Sequence, residues 1–252
     1  MSANRHPPRI RSGAGFRRNL RDAPVPPDWS SIAPDMVSRP TPQGRSAPRL
    51  YLVTPPVADP AELPADLSAA LAGADVAAVL LRLAAGGEST LTNCVKALAP
   101  AVQEAGAALL LDGHAEIVGR SGADGAHLTG VAALKDELAH LKPERIAGAG
   151  GLASRHDAML AAEAGADYVM FGEPDAGGER PSFEAILDRI AWWNEVFQAP
   201  CVAYAASLEE IGPLSAAGAD FVALGPFAFA DPRGLAAVLA DAVTRLGAEA
   251  AA

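Results

Sequence analysis

The chain has 252 residues; 50% are apolar, 5% are aromatic, and the formal net charge is −10. This size and apolar content favour one large α/β domain over two small ones. The acidic balance argues against nucleic-acid binding by the folded body, which would need a basic surface. No apolar run reaches the roughly 18 residues of a membrane span. Two cysteines without metal-ligand spacing, Cys94 and Cys201, are typical of buried thiols in a reducing compartment, so we expect a cytoplasmic protein.

The N-terminal segment differs from the rest of the chain. Residues 1–49 hold nine arginines against three aspartates, which leaves 11 basic and 27 acidic residues, a net charge of −16, for the remainder. The segment is rich in proline, has few large apolar residues and shows no periodicity. We predict that residues 1–48 form a disordered arm, either a solvated extension or a tether to an acidic partner or nucleic acid. Residues 49–252 then form the folded domain.

From residue 50 onward, short apolar segments alternate with helical ones. The predicted strands cover residues 50–54, 74–83, 107–112, 125–128, 145–149, 168–172, 201–205 and 221–225. The predicted helices follow them at 60–72, 89–104, 115–120, 133–141, 154–164, 182–197, 207–216 and 233–246. Continuously apolar strands are typical of a parallel sheet covered on both faces, and eight strand–helix units predict a closed (βα)₈ TIM barrel. An open doubly wound sheet is the alternative, although no glycine-rich dinucleotide loop follows the first strand.

A Gly-Ala-Asp tripeptide recurs before every second strand. It stands at residues 73–75, 122–124, 165–167 and 218–220, about two βα units apart. Glycine can end the preceding helix in a left-handed turn, and aspartate can accept hydrogen bonds from exposed turn amides. We interpret the repeat as a structural device at the amino-terminal face of the barrel, without a catalytic role.

The functional residues of such a barrel lie at the carboxyl ends of its strands. Arg82 ends strand 2 in an apolar context, where a guanidinium must meet an external anion or an internal carboxylate such as Asp112 or Glu173. Asp112 ends strand 3 and could hold a divalent cation or cap the next helix. His127, in strand 4, is interpreted either as a satisfied core residue or as a functional one.

Glycines supply the remaining candidates. Gly148, Gly150 and Gly151 belong to a glycine-rich loop segment at the end of strand 5, whose backbone amides can cradle a phosphate, and Gly172 ends strand 6. The sequence offers no Ser-His-Asp set and no cluster with metal-ligand spacing. All three lysines lie in or beside predicted helices, which disfavours Schiff-base chemistry.

Three strand motifs resemble those of the thiamine phosphate synthases and their relatives, the thiazole tautomerases. Residues 50–54 (LYLVT) are similar to the family's first strand, residues 124–128 (DGAHL) to its D-G-V-H-L motif, and residues 165–172 (GADYVMFG) to its G-A-D-Y-I-G-F-G motif. The resemblance covers about residues 50–240 and keeps the order and spacing of the motifs. It implies a TIM barrel of thiamine biosynthesis.

The resemblance also implies an activity. Family members join a pyrimidine pyrophosphate to a thiazole phosphate, while Mg²⁺ and basic residues hold the departing pyrophosphate. Arg82 matches the arginine of the family's Q-L-R-E-K motif, and Asp112 matches the magnesium-binding aspartate of its N-D motif. If the chain is active, the resemblance implies a thiamine-phosphate diphosphorylase-type transferase; its expected partners are small phosphorylated substrates. Mg²⁺ would lie at Asp112, and the phosphate-binding residues would be Arg82, Gly148, Gly150, Gly151 and Gly172.

Many of the family's polar positions are nevertheless apolar or glycine here. The strand 2 glutamine and lysine are Leu80 and Ala84, and the asparagine before the metal aspartate is Leu111. Residues 129–132 (TGVA) lack the second metal carboxylate, and residues 173–181 lack the threonine and lysine that follow strand 6. The alternative function is therefore a catalytically silent barrel that binds a ligand or a partner. No membrane partner is expected, and a homo-oligomer is compatible with the sequence.

Overall fold

The barrel is closed. The computed structural model describes residues 48–65 and 67–250. Within these residues, eight parallel strands pair in chain order and β8 pairs with β1. This confirms the prediction of a (βα)₈ TIM barrel. The predicted arm, residues 1–48, lies outside the described residues except for Pro48.

The strands and helices alternate along the chain. The strands are β1 Arg49–Val53, β2 Val76–Leu81, β3 Ala108–Asp112, β4 Gly125–Thr129, β5 Ile146–Gly150, β6 Tyr168–Phe171, β7 Cys201–Ala205 and β8 Phe221–Leu224. The helices are α1 Leu67–Ala72, α2 Glu88–Gln103, α3 Ala115–Ser121, α4 Val131–Leu141, α5 Arg155–Ala164, α6 Phe183–Val196, α7 Ile211–Ala216, α8 Phe227–Ala230 and α9 Leu235–Ala250. Short 3₁₀ turns lie at Pro60–Glu62 and Leu208–Glu210.

Apolar side chains fill both faces of the sheet. One set lies inside the barrel, where small alanines such as Ala78 and Ala108 leave room for the large rings of Tyr51, Tyr168 and Tyr204. A second, larger set lies between the strands and the surrounding helices. Burial on both faces explains why the strands are continuously apolar rather than alternating. No helix in the described part of the chain is long and apolar enough to cross a membrane.

The Gly-Ala-Asp repeat acts structurally at three of its four sites. Asp124, Asp167 and Asp220 each accept a hydrogen bond, at 2.7–2.8 Å, from an amide near the start of β3, β5 and β7 respectively. The glycine of each of these tripeptides has a left-handed φ of 86–107°. Asp75 differs, since its Oδ1 accepts a hydrogen bond from Nε of Arg49 at 2.8 Å. The predicted interaction with turn amides is therefore replaced by an exposed ion pair at this site.

The largest departures from the sequence prediction are local. The segment predicted as one helix over 60–72 is a 3₁₀ turn followed by α1, and α8, only four residues long, is not predicted at all. Four residues are too few to carry a helical period. Strand β5 extends through Gly150, so Gly148 and Gly150 belong to the strand and not to the loop that follows it.

Candidate functional site

A cleft of about 890 Å³ lies at the carboxyl ends of the strands. Residues from β2, β3, β4, the β5–α5 loop and the β6–α6 loop line it. Arg82, Asp112, Gly151 and Gly172 are the predicted site residues among them. Gly148 lies deeper, in the middle of β5, where it pairs with His127 of β4 in the sheet register. The structure thus brings four of the six predicted residues to one surface.

Arg82 and Asp112 form an ion pair at the mouth of the barrel. Nε of Arg82 donates to Oδ2 of Asp112 at 3.1 Å, and the two side chains are 26% and 30% exposed. The amide of Arg82 donates to Oγ1 of Thr54 at 3.0 Å, which fixes the start of the side chain. The pairing of Arg82 with Asp112 is therefore confirmed. The interpretation of Asp112 as a helix cap is wrong, because the N-cap residue of α3 is His114.

The pair leaves the outer part of the guanidinium available. In the described part of the chain, Asp112 is the hydrogen-bond partner of the Arg82 side chain, and the contact uses Nε. The Nη atoms therefore retain donors that can bind an anion in the cleft. A half-exposed pair can exchange partners with far less desolvation cost than a fully buried one.

Below the cleft, three side chains form a neutral hydrogen-bonded network. The Tyr168 hydroxyl lies 3.0 Å from Nδ1 of His127 and 2.9 Å from the Tyr51 hydroxyl. Gly148 permits this packing, because a Cβ at that position would overlap the Tyr168 ring. Burial lowers the pKa of His127 to about 4 and raises the pKa of both tyrosines. His127 is thus held through Nδ1 and stays neutral at the floor of the cleft.

Glu173 follows β6 and turns back over β5. Its Oε1 accepts a hydrogen bond from the backbone amide of Gly151. A Cβ at Gly150 would overlap both the Glu173 carboxylate and the His127 imidazole, so a larger residue there would force at least one of these side chains to move. Burial raises the pKa of Glu173 above its ordinary value. The sequence indicates Glu173 only as an ion-pair partner of Arg82 and gives no signal for its contact with Gly151.

Two further arginines line the cleft but are held by the protein itself. Arg180 donates from Nη1 to both carboxylate oxygens of Glu210 at 3.0 Å, and from Nε to the carbonyl of Gly172 at 3.0 Å. Arg189 donates to the carbonyls of Leu152 and Ala153 at 2.8 and 3.2 Å. These bonds fasten the β6–α6 and β5–α5 loops. They leave Arg82 as the guanidinium best placed to meet a ligand.

The residues present fit Mg²⁺ only in combination with a bound phosphate. Across residues 48–65 and 67–250, no group of three His, Cys, Asp or Glu side chains could hold a metal ion. Asp112 is a single carboxylate, and one of its oxygens already contacts Arg82. Mg²⁺ commonly binds one or two carboxylates together with substrate phosphates, so Asp112 can serve as one ligand of such an ion.

Comparison with known proteins assigns the chain to a family. The family model described as thiamine monophosphate synthase matches residues 50–228. The chain belongs to the thiamine monophosphate synthase family. A thiamine-phosphate synthase of Rhodospirillum centenum is 37% identical over 201 residues, which are 77% of this chain and 95% of that protein. A thiamine-phosphate synthase of Hyphomonas neptunium is 37% identical over 193 residues, 73% and 87% of the two chains.

The structural comparison agrees at the level of the fold. Thiamine phosphate pyrophosphorylase from Pyrococcus furiosus superposes with a TM-score of 0.64 and 19% identity, covering 80% of this chain and 96% of that one. The predicted resemblance to the thiamine phosphate synthases is therefore confirmed. This chain is a thiamine-phosphate-synthase-like protein of thiamine biosynthesis.

Proposed function

We propose that this member of the thiamine monophosphate synthase family binds a phosphorylated thiamine precursor in the cleft at the carboxyl ends of its strands. Arg82 would be the principal contact of the phosphate. The amides of the β5 and β6 strand ends, at Gly150, Gly151 and Gly172, would lie beside it, and Gly148 would support them from within β5. A cytoplasmic location is part of the same proposal, because small phosphorylated precursors are metabolites of that compartment.

The observation that carries the proposal is the orientation of Arg82. Its Nε is held by Asp112 in an open cleft, while its Nη atoms have no recorded partner among the described residues. A guanidinium presents paired donors that match the oxygens of a phosphate. The two other arginines of the cleft are occupied by Glu210 and by backbone carbonyls.

A diphosphorylase-type transfer is the second candidate activity, favoured by the 37% identity to thiamine-phosphate synthases. In that activity Asp112 would hold Mg²⁺ against the substrate phosphates. The departing diphosphate depends on electrostatic stabilisation, to which a single donor contributes roughly 3–4 kcal/mol. Leu80, Ala84 and Leu111 offer no such donors where the family has polar side chains. The cleft therefore supports binding of a phosphorylated precursor better than the ordinary transfer reaction.

Isothermal titration calorimetry of the full chain with thiazole phosphate tests the proposal. We expect the wild type to bind and Arg82→Gln to lose at least about tenfold in affinity, since a charge-assisted hydrogen-bonded contact is removed. Arg245→Gln is the matched control, because Arg245 lies on α9 outside the cleft. Equal affinities for wild type and Arg82→Gln would contradict the proposal.

A coupling assay separates binding from catalysis. The purified chain is mixed with the pyrimidine pyrophosphate, thiazole phosphate and Mg²⁺, and formation of thiamine phosphate is measured. Turnover that is lost in Asp112→Ala would support the transferase activity and a magnesium ligand at that residue. Binding without turnover would support a protein that binds the precursor but does not join it.

A further inference from the structure

The carboxylate of Glu173 already occupies a backbone amide of the β5–α5 loop. The Gly151 amide, a predicted phosphate donor, donates its hydrogen bond to the Glu173 carboxylate. Carboxylate and phosphate oxygens are equivalent acceptors for a backbone N–H. A ligand phosphate can use this amide only after the carboxylate has left it.

The backbone conformation around the contact allows the Glu173 carboxylate to reach the Gly151 amide. Gly172 has a left-handed φ of 90°, which turns the chain back at the end of β6. Gly150 lacks the Cβ that would overlap the carboxylate, and Gly151 has a φ of 61°. The contact is thus supported from both strands.

The charged groups of the cleft also disfavour the binding of a second phosphate. Four carboxylates line the cleft (Asp112, Glu173, Asp175 and Glu179), while Arg82 is the lining arginine whose side chain is not already bonded to Glu210 or to backbone carbonyls. One guanidinium carries one positive charge, so Arg82 can neutralise one anionic group, and only in exchange for Asp112. A second phosphate would have to approach the Glu173 carboxylate, and two like charges at close range repel strongly where water is partly excluded.

We propose that Glu173 determines the specificity of the cleft: it occupies the second anion position, so the cleft accepts a ligand with one phosphate at Arg82 and disfavours a diphosphate. This inference rests on the proposed function, because it needs anion binding at Arg82. It assigns the cleft to the monophosphorylated precursor class. Glu173 acts here by occupying the Gly151 amide and by repelling a second anionic group.

Calorimetry with inorganic phosphate and inorganic pyrophosphate tests the proposal on the full chain near neutral pH. Glu173→Gln keeps an acceptor for the Gly151 amide but removes the charge, and Glu173→Ala removes both. We expect the affinity for pyrophosphate relative to phosphate to rise at least about tenfold in Glu173→Ala, with an intermediate rise in Glu173→Gln. Glu184→Gln, which removes the same charge from an exposed position of α6, should leave the ratio unchanged.

The outcomes separate this inference from the proposed function. If phosphate binds through Arg82 but the ratio is unchanged in both Glu173 variants, the inference is wrong and the proposed function stands. If the wild type binds neither anion, the proposed function is wrong, and the inference fails with it because it needs anion binding at Arg82. If none of the variants binds either anion, both proposals fail. Thermal melts of each variant establish that it is folded.

Discussion

At the scale of single residues, the cleft combines one available arginine side chain with four carboxylates. Arg82 is oriented by Asp112, and Glu173 is held on the Gly151 amide. Beneath them, His127 and its tyrosine partners stay uncharged because burial disfavours their ionised forms. The polar floor therefore adds hydrogen bonds without adding charge, and ligand selection is left to Arg82 and Glu173.

The depressed pKa of His127 predicts an acid-sensitive fold. Its pKa falls from the ordinary 6.5 to about 4, so the unfolded chain gains a proton below about pH 6.5 while the native chain does not. This contribution to stability is complete above pH 6.5 and is lost as the pH falls toward about 4. It amounts to roughly 3 kcal/mol at most. We expect the free energy of unfolding to fall between about pH 7 and about pH 5 more steeply in the wild type than in His127→Gln.

Urea denaturation at several pH values measures this difference. Gln can still bond to the Tyr168 hydroxyl but cannot titrate, so the variant isolates the protonation effect. Identical pH dependence in the two proteins would show that His127 takes up its proton equally in the native and unfolded chains.

The sequence could indicate some of these residues but not their contacts. Arg82 and Asp112 were recognisable because each ends an apolar strand, and adjacent parallel strands bring their carboxyl ends together. The bond between Tyr51 and Tyr168 joins residues 117 positions apart across the barrel interior, and nothing local specifies it. The Glu173 contact depends on the absent Cβ of Gly150 on a neighbouring strand. Three-dimensional packing, rather than residue type, creates it.

At the scale of elements, strand β5 determines how the side chains of the candidate site pack. Its glycines leave space on the inner face for Tyr168 and, at the mouth, for His127 and Glu173. The sequence was interpreted as placing these glycines in a loop that exposes amides. The strand instead continues to Gly150 and uses the missing side chains as space.

Gly150→Ala should therefore destabilise the protein. The new methyl group would overlap the imidazole and carboxylate, and overpacking of this kind costs about 1–3 kcal/mol. Gly119→Ala is the matched control, because a Cβ in that helical position meets nothing within 4 Å. We expect this control to be neutral or to gain up to about 1 kcal/mol. Chemical denaturation compares the two, and an unchanged midpoint for Gly150→Ala would contradict the packing described at β5.

The aspartates of the Gly-Ala-Asp repeat should differ in importance. Asp167 accepts the amide of Ala147 at 2.7 Å, and Asp167→Ala leaves that amide of the barrel unsatisfied, at a cost of about 1–3 kcal/mol. Asp75 forms an ion pair in which its side chain is 71% exposed, and such pairs contribute about 0–1 kcal/mol. Asp75→Ala should thus be the milder change in urea denaturation. A larger loss from Asp75→Ala would overturn this assignment.

Elements were more predictable than their ends. All eight strands follow from continuous apolar runs, and the spacing of the Gly-Ala-Asp repeat matched the pairing of βα units. The 3₁₀ turn at Pro60–Glu62 and helix α8 could not be predicted from the sequence, because each is shorter than the window in which a helical repeat of apolar residues can be detected.

At the scale of the whole molecule, the family fold is retained around an altered cleft. The match over residues 50–228 covers the barrel from β1 into α8. The apolar layers that support this barrel are independent of the polar groups at its mouth, so the mouth can lose donors without loss of the fold. This separation explains why the sequence predicts the barrel more completely than the chemistry at its mouth.

A crystal structure of the chain with thiazole phosphate would show directly whether Arg82 holds the phosphate. We expect phosphate density within hydrogen-bonding distance of the Arg82 Nη atoms, with Glu173 still on the Gly151 amide. Phosphate bound away from the cleft, or within it without contact to Arg82, would show that the proposed binding mode is wrong.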